Sequence, residues 1–262
     1  KVGVVGYCMG GTVAWLSATR IPGLSAAVGY YGGGVADAAE EQPRCPVMLH
    51  FGETDQSIPK EHYEKVMKLH PKIPVHVYPA GAATKGARGE RMAEIGLMAE
   101  AGCVYVTDAD RPIVDSKVLR RVLAYAKSFR VLVAHRPADP WLSAGAAATE
   151  GEFAGRMGLP SVPTFAEKIM LERDLALVEL TGAPFLVDQV TTACALETLA
   201  RGKAKGLPIT ATTSINHLSF NELDIGDYRT FMKFDPPVRG EDDRQAVIEA
   251  LATGLIDIVV SA

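Results

Sequence analysis

The stretch KVGVVGYCMGGT at residues 1 to 12 leaves the chain few choices. Val2, Val4 and Val5 form a short β-rich apolar run, Gly6 and the Gly10-Gly11 pair bracket Cys8, and TVAWLSATR then turns to helical spacing. The text reads strand, sharp turn, helix. A cysteine in the serine place of G-x-S-x-G is the signature of a nucleophile elbow, whose strained turn tolerates no bulky neighbour. On this reading Cys8 is the nucleophile at the tip, and the Met9 N–H at a helix N-terminus faces a developing oxyanion. The alternative is a buried cysteine in a tight strand-to-helix turn.

With 262 residues, 48% of them hydrophobic and 22% charged, the chain can bury a core as one large domain or two small ones. Its net charge of -4, with Lys and Arg scattered, offers nucleic acid no electrostatic footprint. No apolar run approaches a membrane span and no secretory leader opens the sequence, so a cytoplasmic protein is expected, without a membrane partner. The four cysteines, Cys8, Cys45, Cys103 and Cys194, form no C-x-x-C pair and read as reduced thiols.

After the elbow, LSAAVGYYG (residues 24–32) reads as a buried strand and GGGVADAAEEQPR as a loop. PVMLHFGETDQSIP (residues 46–59) is a strand whose polar C-terminal turn carries Asp55, KEHYEKVMKLHP is an amphipathic helix, and IPVHVYPAG (residues 73–81) is a further strand. Cys8 and Asp55 both fall at carboxyl ends of strands, where open α/β sheets place their sites. GYCMGG and HFGETDQSIP resemble the dienelactone hydrolase family, α/β-hydrolases with a Cys-His-Asp triad. The resemblance covers residues 1 to 81 and implies Cys8 as nucleophile and Asp55 as orienting acid. Where that pattern runs from the last strand into its histidine, this chain has Ala82. His50, His62, His70 and His76 read better as ordinary core or surface histidines.

From Ala82 onward helices and strands alternate: ERMAEIGLMAEAG, CVYVTDAD, SKVLRRVLAYAKSF, RVLVAHRP, a long helical stretch ending ERDLALVELTG, APFLVDQV, ACALETLARGKAKG, PITATTSIN, DDRQAVIEALATG and IDIVVSA. Five strands each preceded by a helix are successive βα units of a parallel barrel, with Gly102, Gly182, Gly206 and Gly254 punctuating helix ends. AATKGARGE, GCVYVTDADRPIVDS, TSINHLSFNELD, FMKFDPPVRGEDDR and GLIDIVVSA are similar to stretches of the dihydroorotase family, amidohydrolase-type barrels. Such barrels hold zinc through an H-x-H pair, a bridging carboxylate, later histidines and a final aspartate. The resemblance implies His135 as one ligand and places Asp108 and Asp110 around Ala109 at the bridging position. Gln189 stands for the second histidine and Ala262 for the final aspartate, and the H-x-H strand is absent. No cofactor is expected, zinc being the one the resemblance leaves open. The same resemblance implies a substrate-side loop with Asn216, His217, Asp235 and Arg239. Read without it, the loop is solvated, with Asn216 and Asp224 capping short helices.

The fold class expected is α/β, in parallel βα units: a partial α/β-hydrolase sheet (residues 1–81) followed by a partial TIM-type barrel (residues 82–262). The two parts meet without a linker, as in a fusion of two hydrolase fragments. A continuous sheet through the junction would pair residues 74–78 with 103–107. The strand bearing Cys8 would be an apolar edge that invites self-association. The function expected is hydrolysis of a small lactone, ester or dihydroorotate-like substrate at incomplete sites, with weak turnover. The alternatives are a non-catalytic dihydroorotase-like assembly module, and an active zinc enzyme with another ligand set.

Overall fold

The computed structural model describes residues 3–51, 57–71 and 80–260. They fall into two compact units, one reaching to Ala80 and including Gly102–Val104, the other formed by Gly81–Ala101 and Tyr105–Val260.

In the first unit β1 (Gly3–Tyr7) leads into α1 (Met9–Arg20), followed by β2 (Ala26–Tyr30), a 3-10 helix at Gly33–Ala38, β3 (Val47–His50) and α2 (Lys60–Leu69). The sheet is parallel in the order β1-β2-β3, aligning Tyr7 with Tyr30 and Tyr30 with His50. Among the described residues β1 is therefore an edge, and Val5 on it is exposed. Trp15, Val35, Leu49, Phe51, Tyr63 and Val66 make the core of this unit. Trp15 lies at its centre, fully buried, and donates its indole N–H to Ala38 O at 2.9 Å. His70 packs edge-on against that indole, and its Nε2 is 2.5 Å from Ala39 O. The polar tips of both rings thus close on the segment that follows β2, which keeps their burial inexpensive.

The second unit begins with β4 (Ala80–Ala82), α3 (Ile95–Glu100), β5 (Tyr105–Thr107), α4 (Ser116–Ser128) and β6 (Leu132–His135). A folded insertion follows: α5 (Pro140–Ser143), β7 (Ala148–Thr149), α6 (Glu152–Met157) and β8 (Ser161–Val162), with β7 and β8 paired. Then come α7 (Phe165–Thr181), β9 (Phe185–Val187), α8 (Ala193–Ala204), β10 (Ile209–Ser214), α9 (Ile215–Ser219), a loop to residue 240, α10 (Glu241–Ala252) and β11 (Ile258–Val260). Six strands lie in the order β11-β10-β9-β6-β5-β4, so that chain order becomes spatial order. This is the run of a partial TIM-type barrel, its crossovers filled by helices.

Local chemistry explains these helices. Asp115 caps α4, accepting from Lys117 N at 2.7 Å and Val118 N at 3.3 Å, and the next turns bury Val118, Leu119, Val122, Leu123 and Ala126. That apolar stripe packs on α7 and β6. Gly182 ends α7 in the left-handed region at φ 61° and donates to Val178 O, the backbone conformation for which glycine is favoured.

The described strands form sheets of three, six and two strands, and residues 74–78, on which the expected pairing with 103–107 depends, lie outside the described residues. Two expectations need correction. The helix expected over residues 90–102 shrinks to α3, because Lys85 N donates to Arg91 O and Thr84 bridges Met92. The long helical stretch after β6 divides, since Pro160 and Pro163 lack N–H groups and Gly145, Gly151 and Gly158 supply turns. Among the described residues no helix is long and apolar enough to cross a membrane.

Removing the Trp15 ring leaves a large cavity in a small core. Trp15→Ala should lower the stability of the first unit by about 3–5 kcal/mol, read from urea denaturation followed by circular dichroism.

Candidate functional site

Cys8 sits between the end of β1 and the start of α1 with φ 54° and ψ -121°. This conformation is rare for a residue with a side chain, and it is imposed from several sides. Cys8 N donates to Tyr30 O at 3.0 Å, fixing the end of the strand, while Gly11 N and Thr12 N both donate back to Cys8 O. The helix enters so close to the sheet that a Cβ on Gly6 would lie 1.9 Å from Gly10 O, and one on Gly11 would lie 2.4 Å from Tyr30 O. No larger residue fits either place. The thiol is exposed, as is the Met9 side chain. The Met9 N–H, in the first turn of α1, has no acceptor among the described residues and is free to donate outward.

Beside the elbow, Tyr7, Tyr30 and His50 stack across the three strands. Their ring centroids are 4.6 and 4.2 Å apart, with interplanar angles of 9° and 5°. Register produces this ladder, which single-strand reading does not reveal, and partial burial pushes the Tyr30 phenol up. Asp55 and His76 lie outside the described residues.

In the second unit the candidate ligands do not converge. His135, 1% exposed, has both ring nitrogens engaged: Nδ1 meets Asp174 Oδ2 at 2.7 Å, and Nε2 accepts the Ile113 N–H at 2.8 Å. Asp108 is buried and accepts from Thr84 N and from the Thr84 hydroxyl, whereas Asp110 is exposed. Gln189 is buried at φ 59°, its N–H donating to Thr212 Oγ1. Among the described residues no three His, Cys, Asp or Glu side chains gather as a metal-binding group. A zinc ion needs free lone pairs on convergent donors, and this donor set does not fit one.

His135 belongs instead to a buried clasp. Arg173 holds Asp174 through Nε at 2.8 Å and Nη2 at 2.6 Å, and its Nη1 donates to Ile113 O and Val114 O. Ile113, His135, Asp174 and Arg173 close a ring of hydrogen bonds between the loop after β5, the end of β6 and α7. One helical face further along, Glu167 accepts from the Thr191 hydroxyl, Thr191 N, Thr192 N and Thr192 Oγ1, and pairs with Arg239 at 3.5 Å. Burial pushes the Glu167 carboxyl up, while Arg239 and the threonine donors pull it down.

The loop residues are partly brought together. His217 Nε2 donates to Pro236 O and Pro237 O at 3.2 Å each, between Asp235 and Arg239 in sequence. Its Nδ1 is buried without a partner among the described residues. Burial, followed by the Arg239 charge, pushes the imidazole down to about 4. Arg239 is buried and donates to Thr191 Oγ1 and Thr149 Oγ1, so it braces the loop. Asp235 is exposed on a groove of about 330 Å³ that Asp110 and Arg136 also line. Asn216 lies on α9, but the caps are Ser214 and Asn221, with Asp224 completing a capping box around Asn221. Sequence reasoning passed over Arg136, Glu167, Arg173 and Asp174. Two of them, Glu167 and Asp174, lie seven residues apart on one face of α7, among other charged residues of the same helix that face solvent.

Comparison with known proteins sorts the two parts. The signature of the dienelactone hydrolase family matches residues 1–110, running past the Gly81–Ala82 boundary read from the sequence. The chain is 40% identical to a dihydroorotase of Desulfotalea psychrophila over 185 residues, which is 71% of this chain and 44% of that protein. It is 39% identical to a dihydroorotase of Anaeromyxobacter dehalogenans over 187 residues, 71% of this chain and 43% of that one. It thus spans less than half the length of these relatives. Among solved structures, an L-hydantoinase (dihydropyrimidinase) from Arthrobacter aurescens shares the fold with a TM-score of 0.56 at 15% identity, over 99% of this chain and 57% of the other. A D-hydantoinase from Bacillus sp. AR9 gives 0.54 at 16%, over 96% and 52%. The chain therefore has a dienelactone-hydrolase-like part and a dihydroorotase-like part.

Asp174→Ala would strand buried His135 and half-buried Arg173 without their acceptor, and should cost about 3–5 kcal/mol in urea denaturation. A separate pH effect comes from His217. Its folded value near 4 lies below the ordinary 6.5, so the unfolded chain binds the extra proton as pH falls between them. Stability is full above pH 6.5 and should drop by on the order of 3 kcal/mol toward pH 4, a slope that His217→Gln should flatten.

Proposed function

We propose that the chain is a hydrolase-derived protein in which residues 1–81 carry a thiol directed at cyclic esters and residues 82–262 carry a dihydroorotase-like, cyclic-amide-directed scaffold. Turnover at both is weak or nil. The observation that supports this best is the backbone of Cys8, held at φ 54° and ψ -121° by strand and helix together, with an exposed thiol and a spare Met9 N–H. In such a turn the Cys8 sulfur attacks an ester carbonyl, the Met9 N–H stabilises the oxyanion, and the C–O bond breaks as the thioester forms. The thiol proton leaves to solvent, and the departing alkoxide takes a proton up from solvent to leave as the alcohol. Asp55 is assigned as the orienting acid by resemblance.

Among the described residues the Cys8 sulfur receives no hydrogen bond from an imidazole, so deacylation lacks an evident base and the thioester should accumulate. In the second part no zinc-dependent step is assigned, because His135 is tied into its clasp. That same observation favours a second reading, a non-catalytic binding or assembly module. The exposed edge of β1 is where self-association is expected, and the cytoplasm is the expected location.

Incubation with p-nitrophenyl acetate should release p-nitrophenolate in a single burst and leave an acetyl group on the Cys8 peptide in mass spectrometry, with both lost in Cys8→Ala. An unmodified Cys8 peptide would end the thiol assignment. Saturable multiple turnover would end the claim of an incomplete site.

A further inference from the structure

Among the described residues α7 is the longest helix, and it is apolar on two faces. Ala166, Met170, Leu171, Leu175 and Val178 are buried. Phe165, Ile169 and Leu180 lie on the outer side, 55%, 48% and 66% exposed, with exposed Ala176 between the last two. An outer helix of a βα scaffold ordinarily turns a polar face to water, and a second apolar stripe marks a surface that another chain covers. The spacing of this stripe is palindromic. Its members recur at intervals of four, seven and four residues within one sector of the helix, so it reads alike from either end. The charges along its flank have the matching property. Lys168, Glu172 and Glu179 pair with Glu197, Arg201 and Lys205, on or just beyond α8, at 3.4, 2.7 and 2.8 Å. At the N-terminal level of this ladder α7 carries the cation and α8 the acid, and at the C-terminal level the signs are reversed.

We propose that the outer face of α7 and α8 is the interface of a homodimer, in which two copies meet with their α7 helices antiparallel about a two-fold axis near Glu172. A two-fold contact demands a self-complementary patch, and the palindromic stripe and the inverted charges both supply it. Phe165 of one copy meets Leu180 of the other, and Ile169 meets Ala176. On the flank Lys168 faces Glu179 and Glu197 faces Lys205. The middle pair, Glu172 and Arg201, lies near the axis, where its two charges offset each other. A parallel arrangement would set Lys168 against Lys168 and Glu179 against Glu179, so charge selects the antiparallel one. The helix is about 25 Å long, and with α8 about 10 Å to its side the two copies together bury about 1,000 Å², the lower end of specific interfaces. The dimer is accordingly reversible, with dissociation in the micromolar range. It uses the second unit alone, so its failure and the failure of the Cys8 chemistry are separate results.

The test is sedimentation equilibrium of the full chain across a wide range of concentration, with a reversible monomer–dimer equilibrium expected. I169E and L180E, both at exposed positions and checked for folding by circular dichroism, should each weaken it about ten-fold or more. K168E should weaken it several-fold, and K168E/E179K should recover most of that loss, because the reversed charges meet again across the axis. V5K, which removes pairing through the β1 edge, should leave this dimer in place. A chain that stays monomeric throughout, a dimer indifferent to I169E and L180E, a charge reversal that recovers nothing, or a dimer lost in V5K would overturn the assignment.

Discussion

Two buried carboxylates on one helix organise the second unit. Glu167 and Asp174 both lie on the inward face of α7, and each is surrounded by donors from other elements: threonines after β9 and Arg239 for the first, His135 and Arg173 for the second. A buried charge without partners is far more costly than one with them, so each carboxylate specifies where its donors must be. The strand ends, the loop after β5 and the loop before α10 are located by these bonds as much as by apolar packing. The groove at Arg136 is a product of the same arrangement.

That clasp also engages both ring nitrogens of His135. An imidazole has two nitrogens, and a zinc ligand offers one to the metal while the other is held by a partner. In His135 the acid takes one side and a backbone N–H the other. The residue that matches a ligand in sequence has become part of the packing, and Gln189 beside it donates its own N–H to Thr212. In the first unit the turn at Cys8 is held in its strained conformation with the thiol exposed.

The elbow, the parallel βα order and the glycine stops were legible because each is local: periodicity, φ requirements and turn chemistry act within a few residues. The capping residues were misread by two or three positions, since Ser214 and Asn221 are as good caps as the residues first chosen. The buried acids of α7 were not legible, because a charged residue in a helical stretch reads as a solvent face until the partner elements are known. The Tyr7–Tyr30–His50 ladder likewise exists only through strand register. Sequence thus located the thiol and the loop, while the clasp and Arg136 depended on long-range pairing.

The backbone at Cys8 carries a further consequence. Holding a side-chain-bearing residue at φ 54° takes of order 1–3 kcal/mol from the stability of the first unit. A glycine there would relax the turn and forfeit the sulfur, so durability and reactivity pull in opposite directions at a single position. Drift toward a more robust protein would run through this turn first, and a chain that carries cysteine there retains a cost that packing alone would not select.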